Sequence, residues 1–96
     1  MVFNTGAALL DAVVLAVVGK EDDGTYGYKI TQDVRKVLDI SESTMYPVLR
    51  RLQKDGCLST YDKITEQGQA RLRLYRIEWK NYAAKINRLF DEEEGI

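Results

Sequence analysis

SESTMYPVLRRLQKDG, residues 41–56, is the stretch that decides the fold, and its pattern predicts one short helix with two unlike faces. Apolar residues recur at i, i+3, i+4 and i+7, the spacing of a core-facing stripe: Met45, Val48, Leu49 and Leu52. The opposite side carries Ser43, Pro47, Arg50 and Lys54, flanked by Tyr46 and Arg51. Hydroxyls, a phenol and cations on one face suit a helix that meets a phosphate-walled groove. An ordinary charged surface would show the same pattern.

The start of this helix is open between two serines. Ser41 is a good N-cap with Glu42 in the first turn, but it places Pro47 beyond the first turn, where proline costs a backbone hydrogen bond. A cap at Ser43 would bring Pro47 nearer to the tolerated positions. We prefer Ser41, expect a local irregularity at Pro47, and expect Gly56 to end the helix.

An apolar helix is predicted near the start of the chain, over Thr5–Val18, with Thr5 as its cap and Gly19 in a left-handed terminal turn. Asp11 is the one polar residue between Ala7 and Val18, so the helix must be covered on more than one side, which suggests a partner chain. The segment is too short to span a bilayer and no basic residue precedes it. We therefore expect a buried helix in a cytoplasmic protein.

A second helix is predicted over Tyr28–Leu38, separated from the first by a polar loop with a turn signal at Asp23-Gly24. Its inner stripe is predicted to contain Ile30, Val34, Val37 and Leu38. The link to Ser41 is only Asp39-Ile40, and two helices joined so tightly are typical of a helix-turn-helix.

The segment after Gly56 is puzzling. Cys57–Asp62 has the composition of a strand, and Lys63–Thr65 has that of the end of a second strand. A hairpin needs two strands of about five residues and a turn, and this segment is too short for it. Either the chain lacks the hairpin, or residues that form its tip are missing between Asp62 and Lys63. We favour the second interpretation.

The final helix is predicted over Thr65–Asp91, with Thr65 as its cap and Gly68 as a mild cost near its start. Apolar residues step by three and four along it: Leu72, Tyr75, Trp79, Tyr82, Ile86 and Leu89. This seam could pack on the chain's own core. At about 1.5 Å per residue, however, the helix is near 40 Å long, longer than so small a domain covers. We therefore expect a homodimer.

Composition argues against an enzyme. The 96 residues contain no histidine and one cysteine, Cys57, so imidazole-based catalysis, thiolate metal sites and internal disulfides are not expected. The carboxylates form no paired arrangement of the kind that a catalytic site needs, and no cofactor is expected. The net charge is -1, but residues 28–54 hold six cations against three carboxylates. That local excess of three positive charges lies in the predicted helix-turn-helix.

Several motifs occur in the order typical of the PadR family of bacterial transcriptional regulators, and the chain resembles the small subfamily along essentially its whole length. They are Tyr26-Gly-Tyr-Lys-Ile30, Ser43-Thr-Met-Tyr-Pro-Val-Leu-Arg-Arg-Leu52 with Lys54-Asp-Gly56, Ile64-Thr-Glu-Gln-Gly68, and Trp79. Met45 stands where the family pattern has leucine. The resemblance implies a mainly α fold with a small β-hairpin: a winged helix-turn-helix over 1–64 and a dimerisation helix over 65–96. It also implies a basic wing between Asp62 and Lys63, where this chain departs from the pattern.

The resemblance implies a homodimeric DNA-binding regulator, and the two-fold symmetry of such a dimer predicts a pseudo-palindromic operator. The residues assigned to DNA are Tyr28, Lys29, Ser43, Thr44, Tyr46, Arg50, Arg51 and Lys54, of which Ser43, Thr44 and Arg50 are the best candidates for base edges. Those assigned to the dimer interface are Leu9, Val13, Leu72, Tyr75, Trp79, Tyr82, Ile86 and Leu89. Trp79 is also the candidate contact for a planar aromatic or phenolic effector that relieves repression. The alternative is a winged-helix module that binds protein, which an acidic or absent wing would favour.

Overall fold

Four helices make up the computed structural model, which describes residues 7–21 and 26–94. They are α1 (Ala7–Gly19), α2 (Gly27–Arg35), α3 (Glu42–Lys54) and α4 (Glu66–Glu94). α1 lies at the centre and contacts the other three. Its fully buried residues, Val14, Leu15 and Val18, form the core together with Ile30, Val34, Met45, Leu52 and Cys57. The fold is therefore mainly helical, as the sequence predicts.

The end of α1 differs from the prediction. Gly19 is still helical, and among the described glycines only Gly56 has a positive φ, so the predicted left-handed turn at Gly19 is wrong. The chain leaves α1 through i to i+3 hydrogen bonds instead, from Lys20 N to Val17 O (3.3 Å) and from Glu21 N to Val18 O (3.0 Å). The predicted cap, Thr5, lies outside the described residues.

α2 is shorter than predicted. It ends at Arg35, and Val37 N and Leu38 N both donate to Val34 O in the turn that follows. This turn rotates Val37 out of the inner stripe, and 67% of its surface is exposed. The assignment of Val37 to the core is therefore wrong, whereas Ile30 and Val34 are fully buried as predicted.

α3 follows the prediction closely. Ser41 is its N-cap, with its Oγ accepting a hydrogen bond from Thr44 N at 3.3 Å, so the alternative cap at Ser43 is excluded. The helix runs unbroken through Pro47, where we expected an irregularity. Gly56, with a φ of 79°, lies just past its end.

A tight turn replaces the expected hairpin. Leu58 and Ile64 form an isolated antiparallel bridge, and Ser59 N donates to Lys63 O at 2.8 Å. Asp62, with a φ of 55°, closes the turn, and the chain passes directly from it to Lys63. The expectation of missing tip residues is therefore wrong, and the described residues contain no β-hairpin. Ser59 Oγ stabilises this short form by accepting hydrogen bonds from Tyr61 N and Lys63 N.

The turn is also tied to α3. Gln53 Nε2 donates to Asp62 Oδ1 at 2.8 Å and to Ser59 O at 3.3 Å. Burial raises the pKa of Asp62 above its ordinary value of 3.8, while the hydrogen bond from Gln53 opposes that rise. Because the folded state then binds a proton more readily than the unfolded state, the free energy of unfolding falls as the pH rises from about 3.8.

Asp62→Asn is expected to stabilise the fold relative to wild type, and the gain in unfolding free energy should be larger at neutral pH than in acid. Asparagine keeps the oxygen that accepts from Gln53, tolerates a positive φ, and removes the charge that burial penalises. Urea unfolding of wild type and of the variant at about pH 3 and about pH 7 would measure this gain at each pH. Asp91→Asn, at an exposed position of α4, is the matched control. An equal response of both variants would contradict a role for burial of Asp62.

α4 begins after Thr65, as predicted, and extends to Glu94. Thr65 Oγ1 accepts from Gly68 N at 3.0 Å and donates to Gly56 O at 2.5 Å, which joins the start of α4 to the end of α3. Its first turns pack on α1, where Leu72 and Tyr75 are each 7% exposed. The rest of α4 extends beyond the core, and the molecule is 52 Å long but only 26 Å and 21 Å across.

Candidate nucleic-acid interface

The outer face of α3 is a polar surface built as the sequence predicts. The side chains that it exposes are Ser43, Thr44, Tyr46, Pro47, Arg50 and Lys54, while Met45, Val48, Leu49 and Leu52 are buried beneath them. Arg50 and Lys54 form no ion pair with any described residue. Both cations are therefore available to an external anion such as a DNA phosphate.

Three hydroxyl groups cluster at the start of this face. Ser41 Oγ lies 2.9 Å from Ser43 Oγ and 3.0 Å from Thr44 Oγ1. A hydroxyl both donates and accepts, so each can keep its place in the cluster and still bond an external acceptor. Ser43 and Thr44 also lie at the N-terminus of α3, where the helix dipole favours a negatively charged group.

α2 begins beside this face, where Gly27 packs next to Tyr46 and Leu49 of α3. A Cβ at Gly27 would lie 3.5 Å from the Tyr46 ring and 3.6 Å from Leu49, in ordinary van der Waals contact. Tyr28 and Tyr46 are both about half exposed. The start of α2 therefore adds an exposed phenol group, that of Tyr28, close in the chain to the contact between Gly27 and Tyr46.

Lys29, in contrast, is engaged within the chain. Its Nζ bonds the Glu21 carboxylate and lies 3.9 Å from Asp33 Oδ2. The hydrogen bond with Glu21 raises the pKa of Lys29. A DNA phosphate would have to compete with two carboxylates for this ammonium group, which makes Lys29 a weaker candidate than Arg50 or Lys54.

Arg51 is also engaged, in an arrangement that the sequence reasoning missed. Its guanidinium donates to the Asp11 carboxylate from both terminal nitrogens, Nη1 to Oδ2 at 2.9 Å and Nη2 to Oδ1 at 2.5 Å. The hydrogen bond to Asp11 raises the pKa of Arg51. Tyr75 Oη lies 3.4 Å from Asp11 Oδ2. One signal was present: a lone aspartate in an apolar helix must find a partner, and Asp11 is 3% exposed.

A second feature, the α1–α4 groove, lies on another side of α1. This apolar groove has a volume of about 320 Å³, and the residues lining it are Leu9, Ala12, Val13, Ala16, Val37, Leu72, Tyr75, Arg76 and Trp79. Trp79 is 44% exposed, and its ring stacks with that of Tyr82 at a centroid distance of 6.2 Å. Sequence reasoning found Trp79 but missed Val37, because it extended α2 too far.

The predicted dimer residues fall into three groups. Leu72 and Tyr75 are buried against the chain's own α1, so the first part of the seam packs within the chain itself. Leu9, Val13 and Trp79 line the α1–α4 groove. Farther along α4, Ile86 is partly exposed, and Tyr82 and Leu89 are exposed.

Comparisons with known proteins identify the family of this chain. The model of the transcriptional regulator PadR-like family matches residues 14–80, more than half of the chain. The chain belongs to the PadR-like family of transcriptional regulators. A protein of Lysinibacillus sphaericus described as uncharacterised is 30% identical over 98 aligned residues, which cover 85% of this chain and 84% of that protein. The crystal structure of smu.1704 from Streptococcus mutans UA159 is similar at a TM-score of 0.80 and 31% identity, covering 95% of this chain and 94% of that one.

Membership in the PadR-like family points to a DNA-binding regulator and away from catalysis. In the described part of this PadR-like chain, no cluster of histidine, cysteine, aspartate or glutamate could hold a metal ion. No described helix is both long and apolar enough to cross a membrane. The wing is where this PadR-like protein departs from the expected pattern, with a turn through Tyr61 and Asp62 in its place.

Proposed function

We propose that this protein is a homodimeric, sequence-specific DNA-binding repressor that a planar aromatic or phenolic effector releases from DNA. Residues 1–64 would read the DNA and residues 65–96 would build the dimer. The observation that carries the proposal is the outer face of α3, where Arg50 and Lys54 are exposed and unpaired in the described structure. Family membership supplies the function class.

Contacts on this face divide by chemistry. Arg50 can bond two acceptors of a guanine edge, and the hydroxyls of Ser43 and Thr44 suit base edges or phosphates. Lys54, Tyr46 and, on α2, Tyr28 would bind phosphates. We leave Arg51 out of the proposed DNA contacts because Asp11 already binds both of its terminal nitrogens. Lys29 would contribute only after losing its contact with Glu21.

The exposed part of α4 supports a homodimer. An α-helix of 29 residues is about 44 Å long, and Leu89 and Phe90 near its end are each 56% exposed. A second copy of α4 would cover these side chains. A two-fold dimer presents two copies of α3, which predicts half-sites about one helical turn apart, near 34 Å.

Leu89→Asp is expected to shift the protein towards monomer. A carboxylate at this apolar position of α4 would be desolvated in the proposed dimer but hydrated in a monomer. Sedimentation equilibrium over a range of concentrations would measure an increase of at least about tenfold in the dimer dissociation constant. Asn87→Asp adds the same charge at a nearby exposed position as a control. An unchanged dissociation constant for Leu89→Asp would place the interface elsewhere.

The α1–α4 groove is the proposed effector site. Its volume suits a small aromatic molecule, and the half-exposed ring of Trp79 offers a stacking surface. Trp79 is the only tryptophan, so its fluorescence reports directly on this groove. Planar aromatic compounds and phenolic acids that bind there are expected to quench its emission and weaken DNA binding.

A protein-interaction module is the second candidate function. The short turn at Ser59–Lys63 favours it, because a basic wing that would add DNA contacts is not formed there. The net charge of -1 also gives no general attraction to DNA. This candidate predicts weak binding to DNA without sequence preference.

A salt titration tests the two candidates. Duplexes would be selected from a random-sequence pool by the wild-type protein, and the best one compared with a scrambled version at several salt concentrations. Specific binding with a log–log salt slope of about -2 or steeper, from Lys54 in two subunits, is expected for the repressor. Equal binding to both duplexes, or none, would reject it in favour of the protein-interaction module.

Substitutions on α3 are expected to separate base reading from phosphate binding. Arg50→Ala should cost about 1–3 kcal/mol of specific binding and relax the preference at one base pair of each half-site. Lys54→Ala should weaken binding to all sequences alike and lower the salt slope by about two per dimer. Lys80→Ala, an exposed cation on α4, is the control. Equal effects of Arg50→Ala on selected and scrambled duplexes would remove Arg50 from the bases.

A further inference from the structure

An ion pair with a buried carboxylate, extended by a tyrosine hydroxyl, links α1, α3 and α4. Asp11 of α1 binds Arg51 of α3 through both carboxylate oxygens, and one of those oxygens also faces the hydroxyl of Tyr75 on α4. Asp11 is 3% exposed, so water cannot substitute freely for either partner. Arg51 is the neighbour of Arg50, the proposed base reader.

Tyr75 also reaches the α1–α4 groove. Its ring lines that groove together with Trp79 and Val37, while its hydroxyl points at Asp11. The two ends of one side chain thus touch the proposed effector site and the carboxylate that holds α3. The distance from Tyr75 Oη to Asp11 Oδ2, 3.4 Å, is long for a hydrogen bond between oxygens. A small displacement of the ring therefore suffices to make or break this contact.

We infer that the Tyr75–Asp11–Arg51 cluster couples the α1–α4 groove to the DNA-binding position of α3. This inference rests on the proposed function and adds the route by which an effector acts. A molecule in the groove would move the Tyr75 ring and change the hydrogen bonding of Asp11. Because Asp11 holds Arg51, the orientation of α3 would change with it. Asp11 and Tyr75 are positioning residues in this scheme, and neither needs to touch DNA.

A tethered aromatic group tests the coupling without an identified effector. Val37 is 67% exposed at the edge of the groove, so Val37→Cys can be alkylated with N-(1-pyrenyl)maleimide. Cys57 is fully buried, and mass spectrometry of labelled wild type would check that it does not react. Nuclear Overhauser cross-peaks between pyrene and Trp79 ring protons, which require close contact, would verify that the ring occupies the groove.

The affinity of each protein for the selected duplex would be measured before and after labelling. Labelling is expected to weaken binding at least about fivefold when Tyr75 is present, and less than about twofold in Tyr75→Phe, which keeps the ring but lacks the hydroxyl. Asp11→Asn, which cannot pair with both guanidinium nitrogens as a carboxylate does, is expected to show the same loss of response. Comparing the ratio within each variant removes any change in basal affinity.

Three other outcomes are possible, and each would contradict the coupling or the proposed function. Equal weakening in Tyr75 and Tyr75→Phe proteins would mean that the groove acts on DNA binding by another route. No weakening with Tyr75 present would mean that the groove and α3 are independent, although the protein binds DNA. If unlabelled wild type selects no duplex, the proposed function fails, and the coupling fails with it.

Discussion

Gly68→Ala is expected to unfold the domain or come close to it. A Cβ at this position would lie 2.1 Å from the carbonyl oxygen of Cys57 and 2.9 Å from Ile64 Cγ1. The first neighbour is backbone, so it cannot move aside by changing a rotamer. That carbonyl also accepts the hydrogen bond from Thr65 N at 3.1 Å, which fixes the chain just before α4. Overpacking against backbone here should cost at least about 3 kcal/mol of unfolding free energy.

Gly19→Ala provides the control for this prediction. Both glycines are helical, but a Cβ at Gly19 would meet only side-chain atoms, at 3.7 Å and 3.8 Å. Alanine there should be neutral or stabilise by up to about 1 kcal/mol. Urea unfolding of both variants at one protomer concentration would compare them. If Gly68→Ala were as stable as Gly19→Ala, the close approach of α4 to Cys57 would be incorrect.

Gly68 also shows what sequence periodicity cannot reveal. In the sequence it is only a mild cost near the start of a helix, since helix propensity concerns a residue within its own element. Its importance comes from the segment after α3, whose backbone at Cys57 lies so close to α4 that no Cβ fits between them. The same applies to Leu72 and Tyr75, because a heptad pattern identifies an apolar seam but not the partner that covers it.

Sequence signals that act within one helix predicted the structure more accurately than those that depend on distant parts of the chain. Ser41 and Gly56 bound α3 as their chemistry predicts, and the two faces of α3 are separated as the period of 3.6 requires. The turn at Ser59–Lys63 was misjudged, because five residues closed by Asp62 at a positive φ need no hairpin. The assignment of Arg51 to DNA rested on its place beside the polar face, and its contact with Asp11 spans forty residues of chain.

Arg51→Met is expected to destabilise the fold strongly, although the side chain is 44% exposed. The substitution leaves the buried Asp11 carboxylate without a cation, with only the long contact to Tyr75 Oη. Removing one partner of a buried pair costs about 3–5 kcal/mol, and partial exposure of Arg51 reduces this to about 3 kcal/mol. Arg50→Met, one residue earlier and fully on the outer face, should change stability by less than about 0.5 kcal/mol.

Adding Asp11→Ala to Arg51→Met should restore more than half of the lost stability. The double variant removes both charges, and the flexible methionine can fill part of the space that they leave. Urea unfolding of the two single variants and the double variant would give the interaction energy of the pair. An interaction energy near zero would mean that Asp11 and Arg51 do not depend on each other for stability, which would contradict this prediction.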